Sequence, residues 1–430
     1  MILSSVIFTI ILIISISFFS YNLWKIVRNI RLGKSKNRFD NPLTRFKILF
    51  KIAFGQTKLF ARPASGILHA LVYWGFLVIT IGTLEMMVDG VFGLERSFGF
   101  LGNFYNVAIA SGEIMAVLVL LSCFLFMIRR VFLNVKRFSG KEMKKSSSID
   151  AIIALIIISL LMISLLTMNI GYIGIHSNEL VGFYPVSEIL LPFFSNFDLH
   201  LLHDISWWSH ILLVLIFLNE LPYSKHFHVV MSIPNVYFSN IKNLGEFNNM
   251  SSVTKEVKLM MDPNIDPYSD NESTEGINST FGAKDVTDLN WIQLMNSYSC
   301  TECGRCTSEC PANQTGKLLS PRKIMMDTRN RLKEVGKNID KFGKDYTDGK
   351  SLLNDYITKE ELWACTTCNA CTQACPLNID PLSIIIDLRR QLVMEESEAP
   401  QELNMMFNNI ENNGAPWQFS QNDRLNWKDE

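Results

Sequence analysis

The sequence predicts an all-α protein in two parts, a bundle of five membrane-crossing helices followed by a helical domain outside the bilayer. Three observations carry that expectation. Apolar runs cover 2–24, 64–88, 104–128, 150–170 and 205–221, each near the ~20 residues that cross a bilayer core. Polarity then shifts sharply near Pro234. Eight of the nine cysteines crowd into two short runs after residue 299, leaving Cys123 alone, which is metal-site spacing and not a disulfide framework. With 40 Lys+Arg against 41 Asp+Glu the net charge is −1, too even for a chain that neutralises phosphates, so nucleic acid is excluded as a partner.

The first run meets the basic residues Lys25, Arg28, Arg31, Lys34, Lys36 and Arg38 on its C-terminal side, the reverse of a cleaved signal peptide, and is read as a retained span. The segment 25–62 carries eleven Lys/Arg and one acid, and 129–150 carries seven Lys/Arg against Glu142 and Asp150. The connections 89–103 and 171–204 hold Arg96 and no Lys/Arg respectively. Basic loops face the cytoplasm, so the expected topology has the N-terminus outside and everything after His228 inside, in a multi-pass inner-membrane protein. Trp207 and Trp208 fall where an outer aromatic belt is expected. Phe46, Leu49, Phe50, Ala53 and Phe54 recur at helical spacing among Arg45, Lys47 and Lys51, as in an interfacial helix on anionic headgroups.

Of seven histidines, His69 lies in the second span, His210 in the fifth, and His226 and His228 just past it. Intramembrane ionisable groups are costly and mark functional sites. His69 and the His226/His228 pair come at one depth from two helices, the arrangement of axial ligands for a b-type haem. His228 is the preferred partner of His69, with His226 in reserve. His210 and His228 are 18 residues apart, five turns of a continuous helix or ~27 Å of rise, which suits a second haem. That second site is incomplete, because its partner position holds Ile79. His203, His200 and His176 are the remaining substitutes.

Arg62-Pro63, Gly66-Ile-Leu-His69, His210 and Pro222-Tyr-Ser-Lys-His226-Phe-His228 resemble the nitrate reductase gamma-subunit type of membrane cytochrome b, a type also found among membrane subunits related to heterodisulfide reductase. The resemblance covers 1–235. It implies a five-helix bundle that holds b haem and exchanges electrons with quinone, and it carries over only the haem nearer the cytoplasm. Glu85 and Glu113 are candidates for quinol protons, but charges reaching water from helix ends are the preferred reading of them.

Residues 236–289 turn to Asn, Ser, Asp, Thr and Glu and read as an exposed linker. Trp291-Ile-Gln-Leu-Met is expected to dock the next domain. Within 290–395, Cys300, Cys303, Cys306 and Cys310-Pro311, then Cys365, Cys368, Cys371 and Cys375-Pro376, both match C-x2-C-x2-C-x3-C-P. Three thiolates at that spacing reach three corners of a 4Fe-4S cubane, and the fourth cysteine of each run reaches the other cluster. Zinc, with four tetrahedral ligands, is the weaker alternative. Helical patterns at 321–329 and 358–364 fill the intervening stretch.

The cysteine framework, with Cys310-Pro-Ala-Asn-Gln-Thr-Gly-Lys-Leu-Leu-Ser-Pro-Arg-Lys and Leu362-Trp-Ala-Cys-Thr-Thr-Cys-Asn-Ala-Cys, looks like the α-helical ferredoxin domain of the iron–sulfur subunits of heterodisulfide reductase and glycolate oxidase. Fused members continue into a Cys-Cys-Gly catalytic domain. No cysteine follows Cys375 here, so the expectation is a conduit, with 396–430 as a docking tail for a soluble Cys-Cys-Gly subunit. The expected function is a membrane electron-transfer subunit linking quinone, b haem, two 4Fe-4S clusters and that partner. The alternatives are a membrane redox or iron sensor and a cluster scaffold.

Overall fold

A computed structural model describes residues 2–133, 135–138, 140, 142–143, 145–177, 179–262 and 281–429. Among them every long element is a helix, and the only β pairings are isolated bridges, Lys34 with Asn290 and Leu353 with Ile357.

The first half runs α1 (Ile2–Ile30), α2 (Pro42–Leu49), α3 (Pro63–Phe92), α4 (Asn103–Val131), α5 (Lys145–Ile175), α6 (Pro185–Leu190), α7 (Leu199–Glu220) and α8 (His228–Tyr237). Helices α1, α3, α4, α5 and α7 are long and apolar enough to cross a membrane. Their ends follow local chemistry. Pro63 starts α3 where no amide bond is lost, Gly93 at φ 68° ends it, and Asp198 caps α7 by accepting from the His200 and Leu201 amides. Helices α3, α4, α5 and α7 pack around Ile79, Ala116, Val119, Leu161 and Leu166. Helix α1 leans on α3 and α7 through Phe8, while Leu3, Ile13 and Ile14 stay 59–73% exposed, as side chains facing lipid must. Trp207 and Trp208 both pack edge-on against Phe8.

The fifth span does not continue to His228. Pro222 lacks the amide and crowds the preceding turn, so α7 stops at Glu220 and two 3-10 turns intervene before α8 begins. The single helix face expected to join His210 and His228 is therefore broken.

The second half runs α9 (Ser251–Met261), α10 (Trp291–Ser299), α11 (Arg305–Ser308), α12 (Pro311–Gln314), α13 (Pro321–Phe342), the turn α14 (Leu352–Asp355), α15 (Lys359–Trp363), α16 (Ala370–Ala374), α17 (Pro381–Arg390) and α18 (Gln401–Asn413). Its core joins Leu294, Ile324, Leu332, Leu362, Ile384 and Leu388. Ala283, Val286 and Leu289, which composition assigned to the linker, are buried in that same core. Part of the predicted linker, 263–280, lies outside the described residues.

The two halves join at the basic end of the bundle. Helix α10 is buried there, and its Trp291 donates its amide to the Lys34 carbonyl (3.2 Å) and its indole to the Lys36 carbonyl (2.9 Å). Gly336 lets α13 cross α1 closely, since a Cβ there would lie 2.4 Å from Asn29 Nδ2, and Asn29 in turn donates to Tyr298 (3.1 Å). Arg322 reaches from α13 to Glu142 in the 132–144 connection.

Candidate redox centres

Helix α3 carries His69 and the first turn of α8 carries His228, and the break at Pro222 is what swings the second toward the first. The ring centroids lie 6.3 Å apart. His69 Nδ1 pairs with Gln56 Oε1 (3.1 Å) and His228 Nδ1 with the Lys225 carbonyl (3.3 Å). Both acceptors are oxygens, so the bonding assigns the proton to Nδ1 and leaves each Nε2 with its lone pair. Outer hydrogen bonds of this kind orient metal-ligating imidazoles. Two imidazoles with free Nε2 atoms at this separation would be able to hold a metal between them. Burial presses His228 down to about 3, so it is neutral at any physiological pH.

His226 lies 6.2 Å from His228 but on the same turn. His69 comes to this place from α3 and His228 from α8, two separate elements. His226 Nδ1 is instead engaged with Ser224 Oγ (2.7 Å) beside Asp150 (3.7 Å). His210 is buried on α7, with Nδ1 held by the Leu161 carbonyl (3.0 Å) and Ser164 Oγ (3.1 Å). Among the described residues no ring contact brings another imidazole to it. His203 and His176 gather instead around Tyr172.

Glu85 and Glu113 correct the preferred reading, for both are 1% exposed. Glu85 accepts from the Phe98 amide (2.9 Å) and Tyr105 (3.0 Å), with Arg96 at 3.8 Å. Glu113 accepts from the Val186 and Ser187 amides (2.9 and 3.1 Å), Ser187 Oγ and Asn169 (3.1 Å). Two surface connections fold back over the helix ends and supply donors in place of water.

The cysteine runs sit on loops of one design. In Cys300-Thr-Glu302-Cys303-Gly304 the left-handed residues are Glu302 (φ 57°) and Gly304 (φ 70°), and in Cys365-Thr-Thr367-Cys368-Asn369 they are Thr367 (φ 55°) and Asn369 (φ 59°). Left-handed non-glycine residues cost ~1–2 kcal/mol each. Their recurrence at matching positions marks a conformation imposed by the site, one that turns successive amides inward.

Cys300, Cys303, Cys306, Cys371 and Cys375 line a single recess. Among the described residues no three His, Cys, Asp or Glu side chains converge on one point as they would around a single ion. A cubane asks for a different arrangement, with thiolates spread around a body. Burial pushes Cys300 up to about 11 and Cys375 up to about 12, with Cys303 acting in the same direction on both. Cys310 is pushed up by burial and then by neighbouring Cys368, and Cys365 by burial, Cys310 and Cys368. The fourth cysteine of each run thus neighbours the other run. Thiols this buried ionise only when a metal takes the proton's place.

Residues 299–379 match the family model of the 4Fe-4S dicluster domain. Over 463 aligned residues the chain is 28% identical to the Probable iron-sulfur-binding oxidoreductase FadF of Bacillus subtilis, covering 100% of this chain and 61% of that one. It is 26% identical to the EtfAB:quinone oxidoreductase of Syntrophomonas wolfei, covering 98% and 59%. Over 147 residues it is 31% identical to one subunit of the dihydromethanophenazine:CoB--CoM heterodisulfide reductase of Methanosarcina mazei, covering 33% and 35%. The chain thus spans about three-fifths of the length of the first two relatives. No solved structure matches it. Its relatives are iron–sulfur oxidoreductases, and the dicluster domain supports iron–sulfur clusters in this chain.

Several residues of the site escape sequence reading. Gln56 and Lys225 orient the histidines, and Lys58 Nζ caps the Thr372 and Cys375 carbonyls (3.3 and 3.2 Å). Arg305, between two cysteines, donates to the Lys58 and Leu59 carbonyls (3.0 and 3.3 Å) on the approach to α3. The Lys58 and Arg305 contacts join segments far apart in the chain, and only the oddity of Arg305 inside a cysteine loop signals any of them.

Proposed function

We propose that this chain is a membrane-bound electron conduit, carrying electrons between the quinone pool, a b haem held by His69 and His228, and two 4Fe-4S clusters. One cluster is held by Cys300, Cys303, Cys306 and Cys375, and the other by Cys365, Cys368, Cys371 and Cys310. The observation that carries this reading is the joint itself. The recess lined by the first four cysteines together with Cys371 sits on the bundle end that presents the two imidazoles, with Arg305 bonded to the segment leading into α3. The name of the Syntrophomonas relative includes EtfAB and quinone. We extend both to this chain, with the bundle in the cytoplasmic membrane, the dicluster domain on the cytoplasmic side, and an EtfAB-type partner at the far cluster.

The residues present fit these groups. Two neutral imidazoles with outer hydrogen bonds suit a six-coordinate haem iron, which when bound relays single electrons between a two-electron quinol and one-electron clusters. The chain's own part is to fix both imidazole tautomers, hold the cysteine loops against the bundle, and exclude water between them. Adding a short-chain quinol to the purified protein should develop the sharp optical bands of a reduced low-spin b haem. A protein with intact clusters and no such bands would overturn the proposal and favour the sensor.

A further inference from the structure

The two cluster loops differ in what surrounds them. At the far loop the nearby arginine is satisfied, since Arg389 donates to the Leu362 carbonyl (2.6 Å) and the Cys365 carbonyl (2.5 Å) and stacks on Trp363. At the loop against the bundle, Arg305 and Arg322 are likewise spent on carbonyls and on Glu142. Arg137 is different.

Arg137 belongs to the connection between α4 and α5, and its backbone lies against Gly304. A Cβ at Gly304 would sit 3.0 Å from the Arg137 carbonyl and 3.4 Å from Arg137 Cβ. Its Nε and Nη1 are buried and have no hydrogen-bond acceptor among the described residues. Buried guanidinium donors are seldom left unbonded. Phe138 lies under Arg129, Arg130 and Arg137 at 4.8–5.9 Å, so the guanidinium sits among other cations. Burial and then Arg62 pull Arg137 down to about 10, and Cys303 is the first neighbour that acts the other way.

We infer that the guanidinium of Arg137 is an outer ligand of the bundle-side cluster, one of its unpartnered donors serving the sulfur of Cys303. The inference rests on the cluster assignment above and goes beyond it, because it makes a connection of the membrane half a determinant of the redox properties of the dicluster domain. A cluster gains one negative charge on taking one electron, and a fixed cation with hydrogen bonds to sulfur stabilises that reduced form more than the oxidised one. Arg137 thereby makes the bundle-side cluster easier to reduce than it would be without the guanidinium. Arg137 acts on it as a positioning and tuning residue and never itself carries an electron.

The test is a redox titration of the whole protein, purified anaerobically, with the paramagnetic signal of each cluster followed separately. The bundle-side signal is identified as the one that Cys310→Ser leaves in place. Arg137→Met should lower the midpoint potential of that signal alone, leaving the other cluster and the haem bands unchanged. Arg137→Lys, which keeps the charge without the fork, should give a smaller fall, and Arg137→Gln, which keeps donors without charge, a fall between the two. An unmoved potential in Arg137→Met or Arg137→Gln, or an equal shift of both clusters, overturns the inference. Loss of the cluster in all three variants also overturns it, as the mark of a structural role. Wild-type protein that yields no clusters would instead refute the ligand assignment beneath it.

Discussion

Arg322 ties the dicluster domain to the connection between α4 and α5, and its removal has a size that can be worked out. It is 1% exposed and donates to Glu142 from Nε (3.0 Å) and Nη2 (2.6 Å), and to the Arg137 carbonyl from Nη1 (2.6 Å). Glu142 keeps only 10% side-chain exposure and also accepts from Ser320 Oγ (2.7 Å). In Arg322→Met the carboxylate stays buried without its cation, a loss of ~3–5 kcal/mol for a broken buried pair. At ~1.4 kcal/mol per tenfold, the undocked population of the 135–143 connection should rise by a factor of ~100 or more. Amide hydrogen exchange on the protein in lipid discs reads this directly: amides of 135–143 and 304–308 should exchange faster by about that factor, while those of α15 and α17 hold their rates. Removing both charges, in Arg322→Met with Glu142→Leu, should recover most of the protection. Exchange in 135–143 unchanged within a factor of ~3 would refute the reasoning, since it would mean that the pair holds nothing closed.

His69→Ala should abolish the low-spin b-haem bands and His228→Ala should do the same, whereas His226→Ala should only shift them; spectra of the purified variants decide, and a normal spectrum in His69→Ala would make that histidine structural. Cys310→Ser should disturb the paramagnetic signal of the cluster held by Cys365, Cys368 and Cys371, and a disturbance confined to the cluster at Cys300, Cys303 and Cys306 would mean that each run is self-contained. The Arg331 fork, bonded to Asp285 and Asp348, holds the Asp348 carboxyl down at about 2. A lowered folded-state value contributes stability that is complete above the unfolded value of ~4 and is lost as pH falls from there toward ~2. Wild-type tryptophan fluorescence should therefore show acid loosening of the dicluster domain across that window, and Arg331→Met should remove this pH dependence.

What the sequence shows and what it hides divide by range. The five spans are legible because length and apolarity are summed over some twenty residues, and the cysteine loops because four ligands at fixed spacing are local. The turn at Pro222 is visible as a residue, but its consequence is tertiary: it breaks α7 and delivers His228 to His69. The burial of Glu85 and Glu113 depends on the Phe98, Val186 and Ser187 amides, donated by connections whose folding back leaves no periodic trace. Ala283, Val286 and Leu289 are three apolar side chains in a polar neighbourhood, too few for composition to notice and enough to anchor the start of the second core. Arg137 reads in the sequence as one more charge that orients a loop. Its two unbonded nitrogens appear only once Gly304 is seen against it.

The central claim is electrical continuity from the bundle to the dicluster domain through His69 and His228. Protein in lipid discs, held anaerobically with both clusters oxidised, is given quinol and frozen at intervals for spectroscopy. The account predicts that haem bands and the signal of the Cys300, Cys303, Cys306 and Cys375 cluster appear in the wild type, and that in His69→Ala the clusters stay oxidised although iron content remains near the ~8 per chain of two cubanes. Clusters that reduce equally fast in His69→Ala would contradict it.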